Sequence, residues 1–139
     1  MTSVLVGVDG SDGSRRAAVF ARDVARAFDA RLTMLHVIEP HPTETMGGLD
    51  DTHKQWYEAQ MRRATELLAE LATELHATDA ERAIEMGHAS DVICREAEER
   101  GADLIVVGRN GHRLGPRLMP GSVGTYVSAA ATRSVAIVR

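Results

Sequence analysis

The amino-acid sequence predicts a single α/β domain, a doubly wound parallel sheet with helices on both faces. Three observations lead there. Five short apolar runs alternate with four segments of helical character in the order βαβαβαβαβ, the pattern of parallel strands joined by crossover helices. The strongest runs are continuously apolar, as strands covered on both faces must be. Turn-forming clusters rich in Gly, Ser and Asp follow several of these runs, where the chain turns into the next helix. A length of 139 residues suits one domain, 1–139, with a real core and no room for a second.

Taken in order, Ser3 to Val8 is the first strand. Asp9-Gly-Ser-Asp-Gly-Ser14 is a turn that offers Ser11 and Asp12 as helix caps. Ala17, Phe20, Ala21, Val24, Ala25 and Phe28 then recur at helical spacing, which predicts an amphipathic helix with this stripe inward. Leu32 to Ile38 is the second strand. Glu39 to Asp51, with Pro40, Pro42, Gly47 and Gly48, is a polar loop and the segment expected to move most. The longest helix covers about residues 52–76, with Ala64, Leu67, Leu68, Leu71 and Leu75 on one stripe. Near its start, Trp56, Tyr57 and Met61 pack against the preceding loop; the competing reading is a shield over a bound base. Ala80 to Met86 is a weak strand, interrupted by Arg82 and Glu85 and therefore placed at a sheet edge. Ser90 to Arg100 is a short helix stopped by Gly101, with Cys94 as a small apolar filler. Leu104 to Val107 is a strand, Ser122 to Ala131 a helix, and Val135 to Val138 the last strand.

Composition narrows the function classes. Hydrophobic residues make up 44% and charged residues 26% of the chain, ordinary values for a globular protein. A net charge of −4 argues against a general nucleic-acid or anionic-membrane surface. Lys54 is the only lysine, so the lysine of a Walker-type phosphate loop is missing. Cys94 has no partner for an internal disulfide, the start of the chain has no signal-like pattern, and no stretch approaches the roughly 20 apolar residues of a membrane span. The expectation is a soluble, cytoplasmic protein. His41, His53, His76 and His112 lack metal-ligand spacing, and His36 reads as a satisfied core histidine.

The feature richest in chemistry is Gly108-Arg109-Asn110-Gly111, followed after nine residues by Gly121-Ser122. It runs from the end of a strand to the start of a helix. Bare N–H groups and the positive helix end make such a loop an anion site, and glycines allow a phosphate to approach the backbone. It reads as a triphosphate cradle, in which Ser122 caps its helix and donates to phosphate from one position. Arg109, Arg113 and Arg117 either screen a phosphate or stand in solvent. Asp9, Val37, Gly87 and Gly108 each fall at or just past the carboxyl end of a strand. In a doubly wound sheet these ends converge on one crevice.

These residues resemble the ATP-binding branch of the universal stress protein family. The resemblance rests on Gly-x2-Gly-x9-Gly-(Ser/Thr), satisfied by Gly108, Gly111, Gly121 and Ser122, and covers the whole chain. It includes Val-Gly-Val-Asp-Gly-Ser at 6–11, Leu-His-Val-Ile-Glu-Pro at 35–40, Gly-His-Ala-Ser at 87–90, Ala-Asp-Leu-Ile-Val-Val-Gly at 102–108 and the terminal Val-Ala-Ile-Val-Arg. The resemblance implies a five-stranded sheet of order 3-2-1-4-5 and a homodimer. It places Asp9 and the Val37 backbone around adenine and ribose, and Gly87 and His88 on the ribose side. Gly108, Gly111, Gly121, Ser122 and the Val123 amide would hold the phosphates. Asp9 is also the candidate ligand for a divalent cation, magnesium or manganese, beside them; its alternative is a turn-former. The chain departs from the family pattern at Thr132-Arg133-Ser134, where proline is common, and at Arg109-Asn110.

The expected function is therefore ATP binding by a regulator or sensor in the stress response, with at most slow hydrolysis and not an enzyme in the ordinary sense. A protein partner that reads the bound state is implied. In order 3-2-1-4-5 the apolar run Val135–Val138 is an exposed edge, an aggregation hazard that two-fold pairing with a second copy removes. Two rivals compete. One is an ATP-using nucleotide transferase or pyrophosphatase on a similar sheet, whose Ser-Gly-Gly-x-Asp-Ser loop is replaced here by Asp9-Gly-Ser-Asp-Gly-Ser14. The other is a nucleotide-free structural dimer, against which the intact glycine motif argues.

Overall fold

The computed structural model describes residues 1–40, 51–109 and 122–139. The elements are β1 (Ser3–Gly7), α1 (Asp12–Phe28), β2 (Arg31–Ile38), α2 (Asp51–Glu74), β3 (Glu81–Met86), α3 (Ala89–Glu99), β4 (Leu104–Gly108), α4 (Ser122–Ala130) and β5 (Ser134–Val138). The strands form one sheet of order β3-β2-β1-β4-β5, with every neighbouring pair parallel. The fold class and strand order match the expectation.

Alternation along the strands divides the core in two. Val4, Val6 and Val8 of the first strand and its exit, with Met34 and Val106, face α1 and α2. Leu5, Leu35, Ile105 and Val107 face α3 and α4. The central strands are therefore apolar on both sides, which explains their continuous runs. β3 is an edge, and its Glu81 and Arg82 are exposed.

The inward face of α1 differs from the stripe that periodicity predicts. Ala17, Ala18, Ala21 and Ala25 are buried, whereas Phe20 and Phe28 are 42% and 57% exposed. Small alanines let the helix lie close on the sheet, and the bulky phenylalanines stand on its flank. α2 stops at Glu74, and His76 takes a left-handed conformation at φ 51°. Its last turn contains no basic residue, so cations from α1 serve instead. Arg26 donates to the His76 carbonyl at 2.6 Å, and Arg22 to the Leu75 carbonyl at 3.4 Å, where the helix leaves acceptors unsatisfied.

Other polar contacts join distant parts of the chain. The Asp103 carboxylate accepts the N–H groups of Thr2 and Ser3 at 2.7 and 3.1 Å, fastening the start of β1 beside β4. On α3, the buried Glu96 accepts Arg100 Nε at 2.8 Å, while Arg100 also pairs with Glu81 of β3. Among the described residues no helix is long and apolar enough to cross a membrane. The expected mobile loop, at 41–50, and the segment 110–121 lie outside the described residues.

Two outcomes follow from these contacts. Arg26→Ala should lower the unfolding free energy by about 1 kcal/mol in urea titration, since it removes a charged hydrogen bond to the end of α2. The backbone N–H groups of Thr2 and then Ser3 hold the Asp103 carboxyl below its ordinary range. Its stabilising effect is present at neutral pH and is lost as pH falls through that depressed value. Asp103→Asn should therefore weaken the fold at neutral pH and shrink the further loss seen on titrating to about pH 2, as read from urea midpoints.

Candidate functional site at the carboxyl ends of the strands

β1 and β4 lie side by side but send the chain to opposite faces, β1 into α1 and β4 towards α4. In this architecture the usual ligand position is where neighbouring strands diverge in this way. Asp9 stands two residues beyond β1, Val37 next to last in β2, Gly87 just after β3, and Gly108 at the end of β4. Val37 packs against the α3–α4 side of the sheet. The structure thus brings these four expected positions to one end of the sheet.

The turn after β1 is closed by its own side chains. Asp9 Oδ1 accepts the Ser11 N–H at 2.9 Å and the Ser11 hydroxyl at 2.5 Å. Ser11 Oγ in turn caps α1 by accepting the Ser14 N–H at 3.1 Å. Ser14 Oγ donates to the Ser11 carbonyl and accepts the Asp9 N–H. Gly10 supplies the positive φ of 85° that this ring of bonds requires. The turn-forming role of Asp9 is thus visible in the geometry. His36 Nδ1 lies 2.8 Å from the Val8 carbonyl; the carbonyl accepts, so Nδ1 carries the proton, and the ring is half-buried rather than in the core.

Gly108 and Gly87 both have structural reasons to be glycine. A Cβ on Gly108 would fall 2.7 Å from the carbonyl carbon and oxygen of Gly13, itself buried in the first turn of α1. β4 therefore ends against bare helix backbone. Gly87 has φ 140°, and a Cβ there would come within 2.8 Å of Val92 Cγ2. The next residue, His88, caps α3 without a side-chain bond. Instead Glu39, just past β2, accepts the Ala89 N–H at 3.4 Å.

α4 begins at Ser122 and has no acidic residue in its first turn. Val123 packs against the α3–α4 core. Gly111, Gly121, Arg113 and Arg117 lie outside the described residues, as does the side chain of Ser122. Arg109 is exposed and extends the β4–β5 pairing, its N–H donating to the Val138 carbonyl at 2.8 Å. Trp56 and Tyr57 meet edge to face with centroids 4.8 Å apart. Among the described residues no cluster of three or more His, Cys, Asp or Glu side chains is arranged to hold a metal. A separate open groove of about 520 Å³, lined by Arg22, Arg26, Arg31, Asp29 and Glu81, lies at the opposite, amino ends of β2 and β3.

Gly13 and Glu39 are the positions that sequence reasoning missed. Glu39 had the same signal as Asp9, a polar residue immediately beyond a strand's carboxyl end. Gly13 had none, because its importance comes from a strand that arrives 95 residues later (108 − 13).

With this geometry in place, comparison with known proteins is decisive on family. The whole chain, residues 1–139, matches the universal stress protein family. The chain belongs to that family. A universal stress protein of Staphylococcus haemolyticus is 32% identical over 141 aligned positions, covering 99% of this chain and 84% of that protein. The structure of UspA from Lactobacillus plantarum superposes with a TM-score of 0.85 at 26% identity, covering 99% of this chain and 97% of that one. A universal stress protein solved in complex with cAMP has a TM-score of 0.69 at 31% identity, covering 99% and 96% of the two chains.

The close approach at Gly108 yields a test of its structural role. Gly108→Ala should cost about 1–3 kcal/mol of stability through overpacking against the α1 backbone, measured by urea denaturation in the absence of any ligand. An unaltered midpoint would show that α1 shifts aside without strain.

Proposed function

We propose that this universal stress protein is an ATP-binding regulator that holds its nucleotide in the crevice between the ends of β1 and β4. The single observation that carries this reading is electrostatic. The first turns of α1, α2 and α3 contain Asp12, Asp51 and Asp91, whereas α4 has no acid in its first turn. Phosphate is most stable at a positive helix end free of competing carboxylates. The Gly108, Gly111, Gly121 and Ser122 pattern leads into that end, and the Val123 amide lies in its first turn. Asp9 and the Val37 backbone would then meet the adenine and ribose, with Gly87 and His88 on the ribose side. The 31% identical structure bound to cAMP supports an adenine nucleotide as the ligand class.

Magnesium or manganese would accompany the phosphates, with Asp9 as the one protein carboxylate assigned to it. Its Oδ1 also holds the Ser11 turn, so the ion would be held mainly by phosphate and water, in keeping with the high hydration of magnesium. The missing Walker lysine supports binding with at most slow turnover, and hence signalling to a protein partner in the cytoplasm rather than catalysis. Among the described residues β5 pairs with β4 alone, and its Ile137 is 43% exposed. Two-fold pairing of Val135–Val138 with a second copy would cover it.

Melting in the presence of ATP tests the site. Ligand at 100 times its dissociation constant adds about 2.7 kcal/mol, which raises the melting temperature by several degrees. Gly121→Val should abolish that shift while leaving the fold intact; retention of the shift refutes the phosphate assignment. Turnover near about 10 per second would place the protein among enzymes instead. Ile137→Lys should convert the dimer to monomer in sedimentation equilibrium, and a wild type that sediments as monomer removes the β5 interface.

A further inference from the structure

Glu39 is the first residue beyond β2. In the β2–β3 register Ile38 lies opposite Met86, and the Gly87 N–H donates to the Ile38 carbonyl at 3.0 Å. Glu39 therefore leaves the sheet alongside Gly87 and His88. Its carboxylate reaches the amino end of α3, where it accepts the Ala89 N–H, and His88 supplies no side-chain cap there. The positive end of α3 is thus matched by the chain's own negative charge. β1 adjoins β2, so Asp9 adds a second carboxylate at the same end of the sheet. The acidic side of the crevice is the side of β1, β2 and α3, and the α4 side has no acid in its first turn.

An ionised carboxylate accepts hydrogen bonds and donates none. Beside a sugar it suits hydroxyl groups and opposes a phosphate ester. We propose that Glu39 is a specificity-determining residue of the nucleotide site, disfavouring nucleotides that carry a dianionic phosphate monoester on the 3′ side. This rests on the ATP-binding reading above, in which Gly87 and His88 line the ribose. Glu39 sets the orientation of the ligand as well as its identity, because a phosphate turned towards α3 meets a like charge and one turned towards α4 does not.

The test is calorimetric titration of the full chain with ATP and with its 3′-phosphorylated derivative. Wild type should bind the derivative at least about tenfold more weakly, equivalent to about 1.4 kcal/mol. Glu39→Gln preserves the shape and an acceptor for the Ala89 N–H while removing the charge. It should narrow the gap to about threefold or less, the derivative gaining affinity relative to ATP. In wild type itself the gap should shrink as salt rises from about 0.05 to 0.5 M, a readout that needs no variant. Equal affinities in wild type, a gap unchanged in Glu39→Gln, or a gap insensitive to salt overturns the proposal; the last two mean exclusion by shape. ATP bound without discrimination defeats the selectivity alone, whereas no ATP binding by wild type defeats the nucleotide reading and the selectivity with it.

Discussion

The top of this molecule depends on one contact between two stretches of bare backbone. β4 ends at Gly108, and the space a side chain would need there is filled by the Gly13 carbonyl, 2.7 Å from the ideal Cβ position. That closeness brings the first turn of α1 against the end of β4, directly over the point where the sheet reverses its winding. The end of β4 is therefore bounded by main chain on the α1 side. The hydrogen-bonded ring of Asp9, Ser11 and Ser14 sits on the same turn and holds α1 in register with it.

Charge gives the crevice a direction. Acidic residues accompany the amino ends of α1, α2 and α3, and Glu39 adds to the charge at α3. Each helix end is a partial positive charge of similar size, so the carboxylates, not the helices, distinguish one end from another. The same logic operates at the other end of the molecule, where Arg22 and Arg26 supply to α2 the positive charge that its own last turn lacks.

Most of the architecture was legible in the sequence because the parallel strands are buried on both faces and so appear as uninterrupted apolar runs. The weak third strand was readable from Arg82 and Glu85, which only an edge tolerates. The inward face of α1 was not. Periodicity groups Phe20 and Phe28 with Ala17, Ala21 and Ala25, but only the distance between helix and sheet decides that the alanines fit and the phenylalanines do not. Strand-end reasoning put Asp9, Val37, Gly87 and Gly108 at one end of the sheet, where the structure has them. It did not reveal that Gly87 and Gly108 are needed by the fold itself, since Val92 and Gly13, which leave no space for a Cβ, become neighbours only through tertiary packing. The signature glycines of a ligand loop and the glycines of a tight fold look alike in one dimension.

The clasp between Asp103 and Thr2 joins residues 101 positions apart, and β1 cannot acquire its β4 neighbour until that distant segment exists. As the chain grows, β1 can pair with β2 early, yet its other side must wait until Leu104 to Val106 of β4 have followed. Until then β1 is paired along one side only.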